Sequence, residues 1–191
     1  MSSIRGFLTP ANAMTSANLV AGFLGLVAVV DAHMMLAAAF VVLAAICDSL
    51  DGTLARRRGG DGTFGMNLDS LADLVSFGVV PAMAMYLGPL GSRPLLGLAA
   101  CSGLVLAAAW RLARFSLVKR CDYFLGLPVP VSGVLLMIML LSRPGFGVTL
   151  VAVLTASGLM VSTLHFPTLR AVGRTTSIVM RGDHNHRRLH K

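Results

Sequence analysis

The sequence contains no glutamate: its eight acidic residues are all aspartates, set against 16 lysines and arginines. Charge of either sign is scarce, at 13% of 191 residues, while hydrophobic residues make up 55% and the mean hydropathy is +0.78. A chain so short of charge cannot clothe a soluble core of ordinary composition, which excludes a soluble domain and leaves an integral membrane protein. Cysteine is sparse too. Cys47, Cys101 and Cys121 are an odd set in or beside apolar runs, which argues against a disulfide framework and suits small buried apolar roles. There is no internal repeat, no low-complexity linker and no sign of a second domain. Residues 1–191 therefore read as one all-α, polytopic helical bundle with a basic tail over about 170–191.

Six apolar runs approach or exceed the length needed to cross about 30 Å of hydrocarbon. They are about Met14–Val30, His33–Ala55, Leu68–Leu87, Leu95–Phe115, Pro128–Leu141 and Val148–Leu164, the fifth being short. Ahead of them, "MSSIRGFLTPANAMTSAN" mixes Ile4, Phe7 and Leu8 with Arg5 and is expected to form a short interfacial segment punctuated by Pro10. The small-residue stretch "ANA" precedes the first apolar run instead of following it, the wrong order for a cleaved signal, so that run is kept as helix one.

With the N-terminus on the cytoplasmic side, the inner segments hold Arg5, Arg56, Arg57, Arg58, Arg111, Arg114, Lys119, Arg120 and every basic residue from Arg170 onward. Only Arg93 and Arg143 fall outside, a strong positive-inside bias. The same topology accounts for the formal charge of +8, so no nucleic-acid partner is expected. Attraction to anionic membrane lipid is the plainer consequence. His184, His186 and His190 in the basic tail read as solvated surface in preference to a metal tract.

The aspartates are concentrated: Asp48, Asp51, Asp61, Asp69 and Asp73 lie within one stretch, and only Asp31, Asp122 and Asp183 lie elsewhere. At about 3.6 residues per turn, Asp48, Asp51, Gly52 and Ala55 share one face of helix two, and Asp69 and Asp73 share a face at the start of helix three. A short loop rich in Gly and Arg makes the two helices antiparallel neighbours, so four carboxylates can converge in the cytoplasmic half of the membrane. An acid there costs about 2.5–3.5 kcal/mol even on the lenient insertion scale, and mutual repulsion adds to it. Cations must offset that cost. Hard oxygen ligands in this number suit Mg²⁺ or Mn²⁺, or else Ca²⁺, and two such ions would neutralise four charges. Paired divalent ions beside a membrane point to phosphoryl chemistry on a bound diphosphate. Small Gly52 and Ala55 leave room for a ligand lying close.

These residues form the pattern D-x2-D-G-x2-A-R-x8-G-x3-D-x3-D, satisfied without departure by Asp48, Asp51, Gly52, Ala55, Arg56, Gly65, Asp69 and Asp73. It resembles the signature of the CDP-alcohol phosphatidyltransferases. The resemblance implies six transmembrane helices, commonly in a homodimer, around a polar cavity open to the cytoplasm and the lipid. It implies that Asp48, Asp51, Asp69 and Asp73 bind metal, that Asp73 is also the general base, and that Gly52, Ala55, Arg56 and Gly65 hold the CDP-lipid. The flanks "TPANAMTSANLVAGFLG", "LDSLADLVSFGVVPA", "RLARF" and "FLGLPVP" are similar to those of membrane-embedded phosphatidylserine synthases, over about Leu8 to Pro130. Ser116 departs from the asparagine expected there.

The resemblance thus implies an enzyme that uses CDP-diacylglycerol and L-serine in a prokaryotic cell membrane, with its active site on the cytoplasmic side. Arg111 and Arg114, at i and i+3 near the inner end of helix four, are candidates to hold the serine carboxylate through a guanidinium fork. Another acceptor such as glycerol 3-phosphate or inositol phosphate, and an archaeal-type ether lipid donor, stay open. From a different class, a divalent-cation transporter would also place aspartates in the membrane, but no matching acids occur in the outer halves of the helices. A structural lipid-interaction protein with remnant acids is the third alternative, against which the unbroken pattern counts.

Overall fold

The computed structural model describes residues 9–57, 63–117, 124–125, 127–162 and 165–166. Helix α1 spans Pro10–Val30 and α2 spans Met34–Arg57. A third rod is composite: α3 (Thr63–Asp73), a π-helical stretch (Leu74–Val79) and α4 (Val80–Leu87). After a short turn of 3₁₀ helix at Pro89–Ser92 come α5 (Pro94–Leu117), α6 (Val129–Leu141) and α7 (Phe146–Val161). Two-residue strands β1 (Phe124–Leu125) and β2 (His165–Phe166) pair antiparallel, tying the chain after α5 to the chain after α7. The protein is an all-α polytopic membrane protein. Among the described residues, four rods are long and apolar enough to span a bilayer, and α6 and α7 are shorter apolar helices.

The first helix begins earlier than its apolar run. Pro10 opens the helix instead of breaking it, because its missing N–H is one of the donors a helix start leaves unpaired. The Thr9 hydroxyl accepts from the Asn12 N–H at 3.1 Å and caps the end. Residues Ala11 to Asn18 therefore belong to α1 and not to an interfacial segment. The expected interfacial residues 1–8 and the basic tail with its histidines lie outside the described residues. Helix three likewise starts at Thr63 and not at Leu68, so Asp69 and Asp73 lie in its second and third turns.

The π-helical stretch has a local cause. Pro81 has no N–H to give to the carbonyl one α-turn back, and just ahead of it the ladder widens, with the Val80 N–H bonding to the carbonyl of Val75. This composite rod is the centre of the bundle: α1, α5 and α6 all pack against it. At its heart Phe77, Val80, Ala84 and Met85 are fully buried. The lipid-facing positions carry large apolar residues such as Phe23, Met35, Ile46 and Leu95, while many interior positions are Ala or Gly. That is the expected pattern where helices associate by close packing and not by hiding apolar surface from water. Gly133 of α6 shows how close: a Cβ there would lie 2.7 Å from both the carbonyl oxygen and Cβ of Phe77. Cys47 and Cys101 are buried and unlinked, Cys101 within the apolar core. Arg93 stacks on Phe146 at 5.0 Å, pinning the starts of α5 and α7 at the end of the bundle opposite the acids.

Candidate functional site

Helix α2 delivers Asp48, half-buried, and Asp51, only 4% exposed, from its last turns. Helix α3 delivers the half-buried Asp69 and, one turn further into the bundle, the buried Asp73. One carboxylate oxygen from each of Asp48, Asp51 and Asp69 can be chosen so that all lie within 4.8 Å of one another. Asp73 stands about 6 Å further along the helix axis and within electrostatic range of all three. Gly52 is half-buried beside Asp51, and Gly65 is buried one turn before Asp69. The backbone of Ala55 and Arg56 continues α2, but their side chains lie outside the described residues.

Asp48 and Asp51 of α2 meet Asp69 of α3, as the spacing predicts. Both α2 and α3 lie against α1. Helix α1 also supplies polar partners that the spacing of the aspartates could not reveal. Thr15 Oγ1 donates to Asp51 Oδ2 at 2.7 Å and lies 3.1 Å from the Ala11 carbonyl oxygen. Asn18 Nδ2 donates to Asp73 Oδ1 at 3.1 Å. The Ser76 hydroxyl, from the π-helical stretch, donates to Asn18 Oδ1 at 2.8 Å and lies 3.1 Å from the Asn18 carbonyl oxygen. Thr15, Asn18 and Ser76 are all buried. In the sequence, Thr15 and Asn18 show as polar residues at i and i+3 among Asn12 and Ser16 in the first half of the helix, with small Gly22 one turn on.

Of the two arginines, α5 turns only one inward. Arg111 is half-buried and within electrostatic range of Asp73, whereas Arg114 is exposed on the last turn. Residues three apart on a helix differ in direction by about 60°, enough to separate one that faces the rod from one that faces outward.

Three ionised carboxylates this close would repel by about 3 kcal/mol per pair, even at an effective dielectric constant of about 20. Hydrogen bonds from neutral side chains such as Thr15 orient the acids without neutralising them. All-oxygen, acidic donors gathered from two helices fit a hard divalent cation. A cation so held could neutralise a diphosphate and stabilise charge as a phosphate ester is exchanged.

Residues 8–171 match the family model described as CDP-alcohol phosphatidyltransferase. The chain is 32% identical over 180 residues to the archaetidylserine synthase of Methanothermobacter thermautotrophicus, covering 91% of this chain and 76% of that one. It is 36% identical over 138 residues to the CDP-diacylglycerol–serine O-phosphatidyltransferase of Methanocaldococcus jannaschii, covering 71% of this chain and 62% of that one. To the Bacillus subtilis protein of the same name it is 31% identical over 157 residues, covering 81% and 87%.

Proposed function

We propose, because this chain belongs to the CDP-alcohol phosphatidyltransferase family, that it transfers the phosphatidyl group of CDP-diacylglycerol to L-serine, yielding phosphatidylserine and CMP. The observation that carries the reading is the gathering of Asp48, Asp51 and Asp69 about one point, with Asp73 a turn deeper. Serine as acceptor is supported by the names of relatives that share about a third of their residues with this chain.

The serine hydroxyl attacks the phosphorus that carries diacylglycerol. A bond forms from the serine oxygen to that phosphorus as the bond to the CMP phosphate breaks, and the hydroxyl proton passes to Asp73. CMP leaves with the electron pair of the broken bond. Asp48, Asp51, Asp69 and Asp73 would hold two Mg²⁺ or Mn²⁺ ions, which when bound spread the charge of the diphosphate. Gly52, Ala55, Arg56 and Gly65 line the CDP-lipid, the glycines allowing close approach of the helix backbone. Arg111, the inward-facing arginine, holds the serine carboxylate, and Arg114 stands at the outer edge of that subsite. The positive-inside bias sets the acids at the cytoplasmic face of a prokaryotic cell membrane, in a homodimer.

A second reading changes the lipid and keeps the site: the Methanothermobacter relative is named for archaetidylserine, which favours an ether-lipid donor. The test is CMP release by the purified protein in detergent with Mn²⁺ or Mg²⁺, pairing each CDP-lipid with L-serine, glycerol 3-phosphate or inositol phosphate. Serine-dependent release supports the proposal. Release with another acceptor alone discards serine. No release with any pair, together with Mn²⁺ flux into proteoliposomes, replaces transfer with transport.

A further inference from the structure

The geometry points to Asn18 as a positioning residue that assigns the two oxygens of Asp73 to different tasks, with Ser76 fixing the orientation of Asn18. The inference rests on the reading of Asp73 as the group that takes the acceptor proton. It concerns three side chains, one from α1 and two from the composite rod, joined in one buried line: Ser76 Oγ to Asn18 Oδ1 at 2.8 Å, and Asn18 Nδ2 to Asp73 Oδ1 at 3.1 Å.

An ionised carboxylate only accepts hydrogen bonds, so the amide must turn its NH₂ toward Asp73. That leaves Asn18 Oδ1 pointing the other way, where it needs a donor, and the Ser76 hydroxyl supplies one. Asn18 and Ser76 are both 0% exposed, so a flipped amide would set its oxygen against the carboxylate with no bulk water to relieve it. The orientation is therefore held from both ends. The backbone is shaped to permit this line. Gly22, one turn beyond Asn18 on α1, is where a Cβ would collide with the Ser76 hydroxyl and come within 3.0 Å of Ser76 Cα. Without a side chain at that position, the π-helical stretch approaches α1 closely enough for Ser76 to reach the amide.

Oδ1 of Asp73 accepts from a neutral donor and keeps a second lone pair for a cation, so Oδ2 is the oxygen that meets the acceptor hydroxyl. The amide carries no charge to compete with the cations and bonds none of Asp48, Asp51 and Asp69, so it orients the base while those three acids keep their hold on metal. Its expected signature follows. Loss of Asn18 slows the chemical step, while binding of lipid, acceptor and metal persists.

The experiment compares Asn18→Ala and Ser76→Ala with the parent protein, full-length and in detergent, using CDP-diacylglycerol, L-serine and Mn²⁺. It reads kcat, both KM values, and Mn²⁺ affinity from the electron paramagnetic resonance signal of the free ion. Misplacing a reacting group by about 1 Å costs about 100-fold, so N18A is expected to lose about 10- to 100-fold in kcat. S76A, in which the amide is retained but released, is expected to lose about 3- to 10-fold in kcat, with both KM values and Mn²⁺ affinity within about threefold for either variant. A purely structural role would lower kcat, Mn²⁺ affinity and thermal midpoint together, and that result overturns the inference. So does N18A with kcat within about threefold of the parent. Should N18A fail to fold, S76A decides alone: parental kcat overturns the inference, and a kcat loss with unchanged Mn²⁺ affinity supports it. A parent that releases no CMP with any acceptor removes the functional reading and this inference with it, whereas an active parent with an equally active N18A removes only this inference.

Discussion

Replacing Gly133 by alanine tests the packing that seats the central rod. The added Cβ would lie 2.7 Å from the Phe77 carbonyl oxygen, 2.7 Å from its Cβ and 2.8 Å from its Cα. Comfortable non-bonded contact is about 3.5–4.0 Å, so α6 would have to retreat by roughly 1 Å along a fully buried face. The obstacles are backbone and a Cβ, not the far end of a flexible side chain, so the strain belongs near the upper end of the usual 1–3 kcal/mol for overpacking, about 3 kcal/mol. Alanine recovers about 1 kcal/mol of helix propensity over glycine, leaving a net loss of about 2 kcal/mol. The control is Gly103→Ala in α5, where an added Cβ meets nothing within 4 Å. There only the propensity gain applies. Thermal unfolding in one detergent should therefore move G133A down by several degrees and leave G103A at or above the parent. A G133A midpoint equal to that of G103A would refute the close contact between α6 and the π-helical stretch.

Other variants probe the site and the turns. Asp69→Asn should weaken Mn²⁺ binding by at least about tenfold, yet raise the thermal midpoint in chelator by relieving repulsion of about 3 kcal/mol per pair; a lower midpoint in chelator would show that the acids are not in conflict. In Asp73→Asn the protein should remain folded and serine-dependent CMP release should vanish, with substantial residual turnover removing Asp73 from its role as base. Arg111→Ala should raise the KM for serine by about tenfold or more, the loss of one charge-assisted hydrogen bond of about 1.5–3 kcal/mol, with the KM for CDP-lipid little changed. Ala32, at φ 58° between α1 and α2, occupies the left-handed region that favours glycine, so Ala32→Gly should stabilise the protein by about 1 kcal/mol in the same unfolding assay.

Much of this was legible in the sequence because it rests on periodicities that survive any packing arrangement. Runs of apolar residues had to become membrane helices, and acids at i, i+3 and i, i+4 had to share a face once those helices formed. What stayed hidden depends on which helix lies beside which. Thr15 and Ser16 are adjacent and alike, yet Thr15 is buried against Asp51 while Ser16 is exposed and bonds back to the Asn12 carbonyl oxygen of its own helix. Nothing local distinguishes them; the packing of α1 against α2 does. Arg111 and Arg114 separate for the same reason, since only the orientation of α5 decides which of two basic residues looks inward. The irregularity at Pro81 went unread in the sequence, and widening of the ladder, as against a sharp kink, depends on the packing around Phe77 and Gly133. Pro10 misled in the opposite sense, because a proline marks a helix start as readily as an interruption.

The most direct test of central chemistry is incorporation of radiolabelled L-serine into solvent-extractable lipid, measured alongside CMP in one reaction of the purified protein with CDP-diacylglycerol or its ether-lipid counterpart. The account predicts one lipid-bound serine for every CMP released, with both products lost on chelation of divalent metal and in Asp73→Asn. Release of CMP without serine entering the lipid, or equal incorporation by Asp73→Asn, would contradict it.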